Sequence, residues 1–150
     1  MLSDEQIITR LILTVVLSGL IGLERQMHRR TAGLRTHILV ALGSCLIMLT
    51  SLYVFDIYSD IVALDPSRIA AGVITGIGFL GAGTIIRDRE GVKGLTTAAS
   101  LWVVAGIGLA VGCGFRRAAI YATVLSLVVL FFLRYIEGII FFEEKKKGVN

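Results

Sequence analysis

The sequence predicts an all-α membrane protein: a bundle of about five transmembrane helices, with the N-terminus outside and the C-terminus in the cytoplasm. Three observations carry that prediction. The first is composition. Of 150 residues, 55% are hydrophobic, 17% are charged and one is proline, and the mean hydropathy is +0.83, too apolar for a soluble domain of this length. The second is a recurrence of apolar runs close to the ~20 residues that a spanning helix needs. They fall at roughly 7–23, 37–55, 66–86, 95–113 and 118–133, with a continuation of the last to 142 left open. The third is charge placement. Arg25, Arg29, Arg30 and Arg35 follow the first run, Arg87, Arg89 and Lys93 follow the third, and Lys145, Lys146 and Lys147 close the chain. Asp4, Glu5, Asp56, Asp60 and Asp65 lie on the other side, with Arg10, Arg68, Arg116 and Arg117 as exceptions. Basic loops stay cytoplasmic, so residues 1–142 read as one membrane domain and 143–150 as a basic cytoplasmic tail.

The first run follows MLSDEQ, acidic where a signal peptide is basic, and is expected to be a retained span. Thr36 is a candidate cap for the second. Asp65-Pro66 reads as an N-cap followed by a first-turn proline for the third. Thr96 or Thr97 is placed to open the fourth. The fifth ends in RYIEGIIFFEEKKK, where Arg134 and Glu137 are spaced to pair on one face and Phe131, Phe132, Tyr135, Phe141 and Phe142 suit a headgroup boundary. One long tilted helix and a helix that bends along the inner surface both fit this segment.

The third run contains Gly76, Gly78 and Gly81 in a G-x-G-x-x-G string. A dinucleotide fingerprint needs a strand before the glycines and a helix opening after them; here they lie inside an apolar run. They read instead, with Gly72 and Gly83, as points of close helix approach in lipid. Small residues also recur four apart at Ser18 and Gly22, Gly72 and Gly76, and Gly108 and Gly112. Trp102 is expected to pack against glycine-lined gaps.

Helix direction collects Glu24, Arg25, Arg35, Arg87, Thr96, Thr97 and Ser100 at the inner-leaflet end. An unpaired carboxylate is expensive there. Arg25, its neighbour in sequence, faces another way, so Arg35 or Arg87 is the expected partner of Glu24. Two readings stand: an ion pair that fixes the bundle, and a group lining an inner cavity. No acidic residue lies at mid-membrane, and Glu24 and Asp65 are expected to be separated by most of the ~30 Å hydrocarbon, which argues against an intramembrane Mg²⁺ site. Cys45 and Cys113 suggest neither a disulfide framework nor a metal cluster. His28 and His37 belong to no catalytic set, and no enzyme activity or cofactor is expected. The net charge of +4 is a topology signal, without the interleaved aromatics of a nucleic-acid surface.

The strings GLERQ (22–26), AGLRTHILVALG (32–43), DPSRIAAGVITGIGFLGAGTIIRD (65–88) and KGLTTAASLWVVAGIGLAVG (93–112) resemble the MgtC/SapB family of bacterial inner-membrane proteins. The resemblance implies a multi-pass membrane domain of about five spans and a link to magnesium-limited growth. For some members it also implies survival inside host cells and control of ATP synthase. Its motif positions here are Glu24, Arg25, Arg35, Asp65, Arg68, Gly76, Gly78, Gly81, Gly83, Arg87, Thr97 and Trp102. At Thr96 and Val103 the chain departs from the virulence-associated members, which carry Asn and Cys. It stops at Asn150, so the ligand-sensing cytoplasmic module of longer relatives is not expected to carry over. The expected partners are the lipid bilayer, a second copy of the chain and another membrane complex. The alternative is a transporter or channel subunit for Mg²⁺ or another ion.

Overall fold

The computed structural model describes residues 2–61, 63–89 and 91–147, with side chains as far as Tyr135. It contains five helices: α1 (Asp4–Met27), α2 (Leu34–Tyr58), α3 (Ser67–Thr84), α4 (Leu95–Gly112) and α5 (Arg116–Lys147). The expected all-α fold needs one correction. Between α3 and α4 lies an antiparallel hairpin, β1 (Ile86–Asp88) and β2 (Gly91–Lys93), with Ile86 opposite Lys93 and Asp88 opposite Gly91. Lys93 Nζ donates to Asp88 Oδ2 at 2.8 Å across it, a diagonal cross-strand pair. The third run therefore stops as helix at Thr84. Four helices are long and apolar enough to cross a membrane: α1, α2, α4 and the 116–135 part of α5. With five glycines and Arg68 in eighteen residues, α3 falls short of them.

Local chemistry sets the ends. Ser3 and Gln6 form a reciprocal capping box at α1, with Asp4 and Glu5 in the first turn, where carboxylates favour the helix dipole. The end of α1 closes as a Schellman turn: Arg30 N–H bonds the Arg25 carbonyl and Arg29 N–H that of Gln26, with Arg29 at φ 52° in the position usually given to glycine. Thr36 lies inside α2 and does not cap it; Gln26 Oε1 accepts from Leu34 N–H at 3.1 Å instead. The expected cap shifts by one residue: the helix starts at Ser67 with Pro66 at the cap position, and Asp65 Oδ1 accepts from Ser67 N–H at 2.8 Å from just outside it. Nor do Thr96 and Thr97 cap α4. Its start is Gly94 at φ 92°, where a Cβ would collide with the Thr84 carbonyl.

The Ser67 hydroxyl, then its N–H, and the nearby Arg68 hold the Asp65 carboxyl below its ordinary pKa. The stabilisation is present above the unfolded value, about 3.9, and is lost as pH falls through the lower folded value. The wild type is expected to lose thermal stability in that acid range by a step that Asp65→Ala lacks, read as melting temperature against pH.

The core centres on α4, which contacts all four other helices and is apolar on every side, as a central helix should be. Leu17, Ile21, Ala41, Val104, Ile107, Val111 and Ala119 form one buried cluster, and Ala32, Ile77, Leu101 and Ala105 another. Helix α3 leans chiefly on α4 and α2, and its buried residues are Ala70, Ile77 and Gly81. Polarity is reversed relative to a soluble bundle. Thr14, Ser18, Ser44, Ser51, Thr97, Ser100 and Thr123 are buried, while Ile8, Ile12, Val16, Leu20, Phe79, Val124, Leu125 and Phe132 are exposed. Many of these hydroxyls donate to a carbonyl one turn back, as Ser18 does to Thr14 and Thr123 to Ala119, which satisfies them in an apolar interior.

Close approach uses Gly22, Gly108 and Gly112, three of the expected small-residue positions, rather than the row on α3. A Cβ at Gly22 would meet the Leu34 Cα at 2.9 Å, one at Gly112 the Met48 Cβ at 2.7 Å, and one at Gly108 the Ala41 carbonyl and Ser44. Around Gly72, Gly76, Gly78 and Gly83 nothing lies within 4 Å, and Gly81 has ordinary contact with Ala98 at 3.6 Å. The row on α3 is thus not a packing seam within the protomer, apart from Gly81. Trp102, 53% exposed, stands outside the bundle and fills no gap in it.

Candidate functional site

Helix direction brings the end of α1, the start of α2 and the start of α4 to one end of the bundle. The buried polar groups there are Glu24, Arg25, His37, Thr97 and Ser100. Each is placed by its helix. Arg25 faces α4, and its Nη2 donates to Thr97 Oγ1 at 3.2 Å. Glu24 accepts at Oε1 from His28 Nδ1 at 2.8 Å, one turn along α1, and its Oε2 lies 3.9 Å from Arg25 Nη1. The same His28 nitrogen lies 2.8 Å from the Glu24 carbonyl. Two acceptors at that nitrogen require it to carry the proton. The His28 ring meets Phe131 of α5 edge-on, with centroids 6.1 Å apart.

His37 joins α2 to α4. Its Nδ1 donates to the Gly33 carbonyl at 2.8 Å, and its Nε2 lies 3.0 Å from Ser100 Oγ. Ser100 is also 2.8 Å from the Thr97 carbonyl, so its single hydroxyl proton serves one of these acceptors at a time. Two polar atoms of the cluster stay buried and unpartnered among the described residues, Glu24 Oε2 and Arg25 Nε.

Four expected members come together: Glu24, Arg25, Thr97 and Ser100. Three do not. Arg35, Arg87 and Thr96 are exposed, and Arg87 sits in β1 opposite Val92. The expected partners of Glu24 are therefore replaced by His28 and Arg25, because a turn of helix brings residue 28 over 24 and the Arg25 side chain swings back toward its neighbour. The sequence reading missed His28 and His37 as members. A histidine inside an otherwise apolar run needs a polar partner, and that signal was available at His37. Arg10, an exception to the charge pattern, donates through Nη1 to the Gly112 carbonyl at 2.6 Å. It thereby serves the free carbonyl end of α4. Arg68 lies at the start of α3 beside Asp65. Glu137, Phe141, Phe142 and the tail lysines have side chains outside the described residues.

The arrangement locks three helix ends together. Among the described residues no three His, Cys, Asp or Glu side chains gather as metal ligands, and the fixed charge of Arg25 beside Glu24 opposes a bound cation. Two of the open spaces elsewhere in the bundle lie between long helices. One is an apolar groove of about 660 Å³ between α2 and α3, lined by Gly43, Ile47, Ile69, Gly72, Gly76 and Leu80. The other is a slot of about 290 Å³ between α4 and α5.

Residues 11–139 match the model of the MgtC family. The chain is 52% identical over 127 residues to the Escherichia coli K12 protein named "Putative magnesium transporter YhiD", covering 83% of this chain and 59% of that one. It is 45% identical over 127 residues to Protein MgtC of Salmonella typhimurium (85% and 52% covered) and 42% identical over 135 residues to Protein MgtC of Brucella abortus (89% and 53%). The chain thus spans little more than half the length of these relatives. No solved structure matches it.

Proposed function

The chain belongs to the MgtC family, and from that premise we propose that it serves magnesium and envelope-stress homeostasis in the bacterial inner membrane by contacting other membrane proteins. In this reading α3 completes five spans, the N-terminus lies outside, and the arginine-rich end faces the cytoplasm, as the positive-inside rule favours. The observation that carries it is the closed polar cluster. Arg25 engages Thr97, His37 engages Ser100, and the space where a conduit would open is filled by side chains that bond one another. Contact with a second copy or a larger complex falls to the exposed glycines of α3. Exposed glycine in lipid favours the approach of another helix.

The unpartnered Glu24 Oε2 favours a second reading, a transporter whose cation passes that carboxylate; the name of the Escherichia coli relative points the same way. The two readings separate in proteoliposomes holding the purified protein. The expected result is no Mg²⁺ flux above empty vesicles, together with a membrane partner or second copy recovered by cross-linking from cells. Mg²⁺-dependent flux that Glu24→Gln abolishes would overturn the contact reading.

A further inference from the structure

The slot between α4 and α5 shares Ser100 with the polar cluster but differs from it in chemistry. It opens sideways from the bundle, and Ile21, Ala99, Val103, Leu125, Val129 and Leu130 supply its apolar lining. Thr96, Ser100 and Ser126 also line it. Two of these hydroxyls are engaged already, Ser100 with His37 and Thr97 and Ser126 with the Ala122 carbonyl at 2.6 Å. The interior therefore suits hydrocarbon. At about 290 Å³ it is near the lower limit of small-molecule sites, about 300 Å³. A helix about 10 Å across is too wide to enter it.

The mouth is polar. Leu130 lines the slot, and Arg134 follows it one turn further along α5, at the edge of the slot face. It is exposed, at the arginine-rich end. Thr96, exposed in the first turn of α4, lines the facing side. An apolar channel ending in a guanidinium and a hydroxyl complements a molecule with a hydrocarbon chain and an anionic head. Basic sites between membrane helices recognise lipid phosphates in this way. We infer that the slot holds one acyl chain of an anionic phospholipid from the leaflet at that end, its phosphate at Arg134 and Thr96.

Trp102 reports on this site. It is the one tryptophan of the chain, it is exposed, and it lies three residues from Ala99, flanking the face of α4 that lines the slot. The full chain is placed in nanodiscs with a small fraction of either phosphatidylglycerol or phosphatidylcholine brominated in the acyl chain, and tryptophan fluorescence is read. Brominated phosphatidylglycerol is expected to quench Trp102 more strongly than phosphatidylcholine at equal fraction. Arg134→Gln is expected to abolish that difference, Ser126→Phe to weaken quenching by both lipids, and Arg35→Gln, at the same end but away from the slot, to change nothing. Arg134 is exposed, so its replacement leaves folding intact and this arm decides even if Ser126→Phe is poorly folded. Equal quenching by the two lipids in the wild type, or a preference that survives Arg134→Gln, overturns the inference. So does absence of quenching by both, which would mean that something other than lipid covers the slot.

Discussion

Gly108→Leu is expected to abolish recovery of folded protein from membranes, and Gly76→Leu to leave it intact. Both glycines stand in rows of small residues four apart, and nothing in the sequence ranks one above the other. The structure separates them. At Gly108 a single added carbon would overlap the Ala41 carbonyl and come within 2.9 Å of the Ser44 Cβ, so α2 and α4 would have to part along their main seam. Overpacking a filled core costs about 1–3 kcal/mol and sometimes more; Gly108→Ala belongs in that range, and leucine adds three further carbons in the same place. At Gly76 an added carbon meets nothing within 4 Å. The measurement is the monodisperse fraction after detergent extraction and mild heating. Equal losses for the two variants would show that the α2–α4 approach is not what holds the bundle. Cross-linking of Gly76→Leu to its partner is a separate readout, because that position bears on contacts outside the protomer.

Arg25→Met is expected to destabilise the protein by about 3–5 kcal/mol, the usual cost of removing one member of a buried charge pair. The loss comes less from the 3.9 Å separation of the two charges than from what remains. Glu24, with a side chain 2% exposed, would be left with His28 alone beside it, and Thr97 would lose its donor. Glu24→Gln combined with Arg25→Met is expected to cost less than Arg25→Met alone, since no isolated charge is left in the apolar interior. Thermal unfolding of the single and double variants checks the sign. A double variant less stable than Arg25→Met would mean that Glu24 has its own support in the folded protein.

Sequence and structure agree best where one physical demand acts alone. Apolar length fixed four spans to within a few residues, and charge placement put Arg25 and Thr97 at one end. Side-chain direction was harder to read. Thr96 and Thr97 differ by one step of about 100° around the helix, which places the first outside and the second against Arg25. Glycine rows mark possible approach without naming the face that is used: Gly108 and Gly112 meet α2, whereas Gly72 and Gly76 line the open groove between α2 and α3 and touch nothing within 4 Å. The hairpin was hidden because three-residue strands give no periodicity, and Ile86 read as the last residue of an apolar run. His37 was passed over as the first residue of a span, although its place inside α2 obliged it to find Ser100.

Arg10 and Arg25 are fifteen residues apart on α1, and their acceptors, Gly112 and Thr97, are fifteen apart on α4. The two antiparallel helices are therefore fastened at two points about 22 Å apart. Sliding one past the other by one turn, about 5.4 Å, would break both hydrogen bonds, and rotation would swing one arginine out of reach. The pair behaves as a stiff beam through the molecule. Helix α3 stands outside that pair, entered through the Asp65-Pro66 turn and left through the hairpin that ends at the left-handed Gly94.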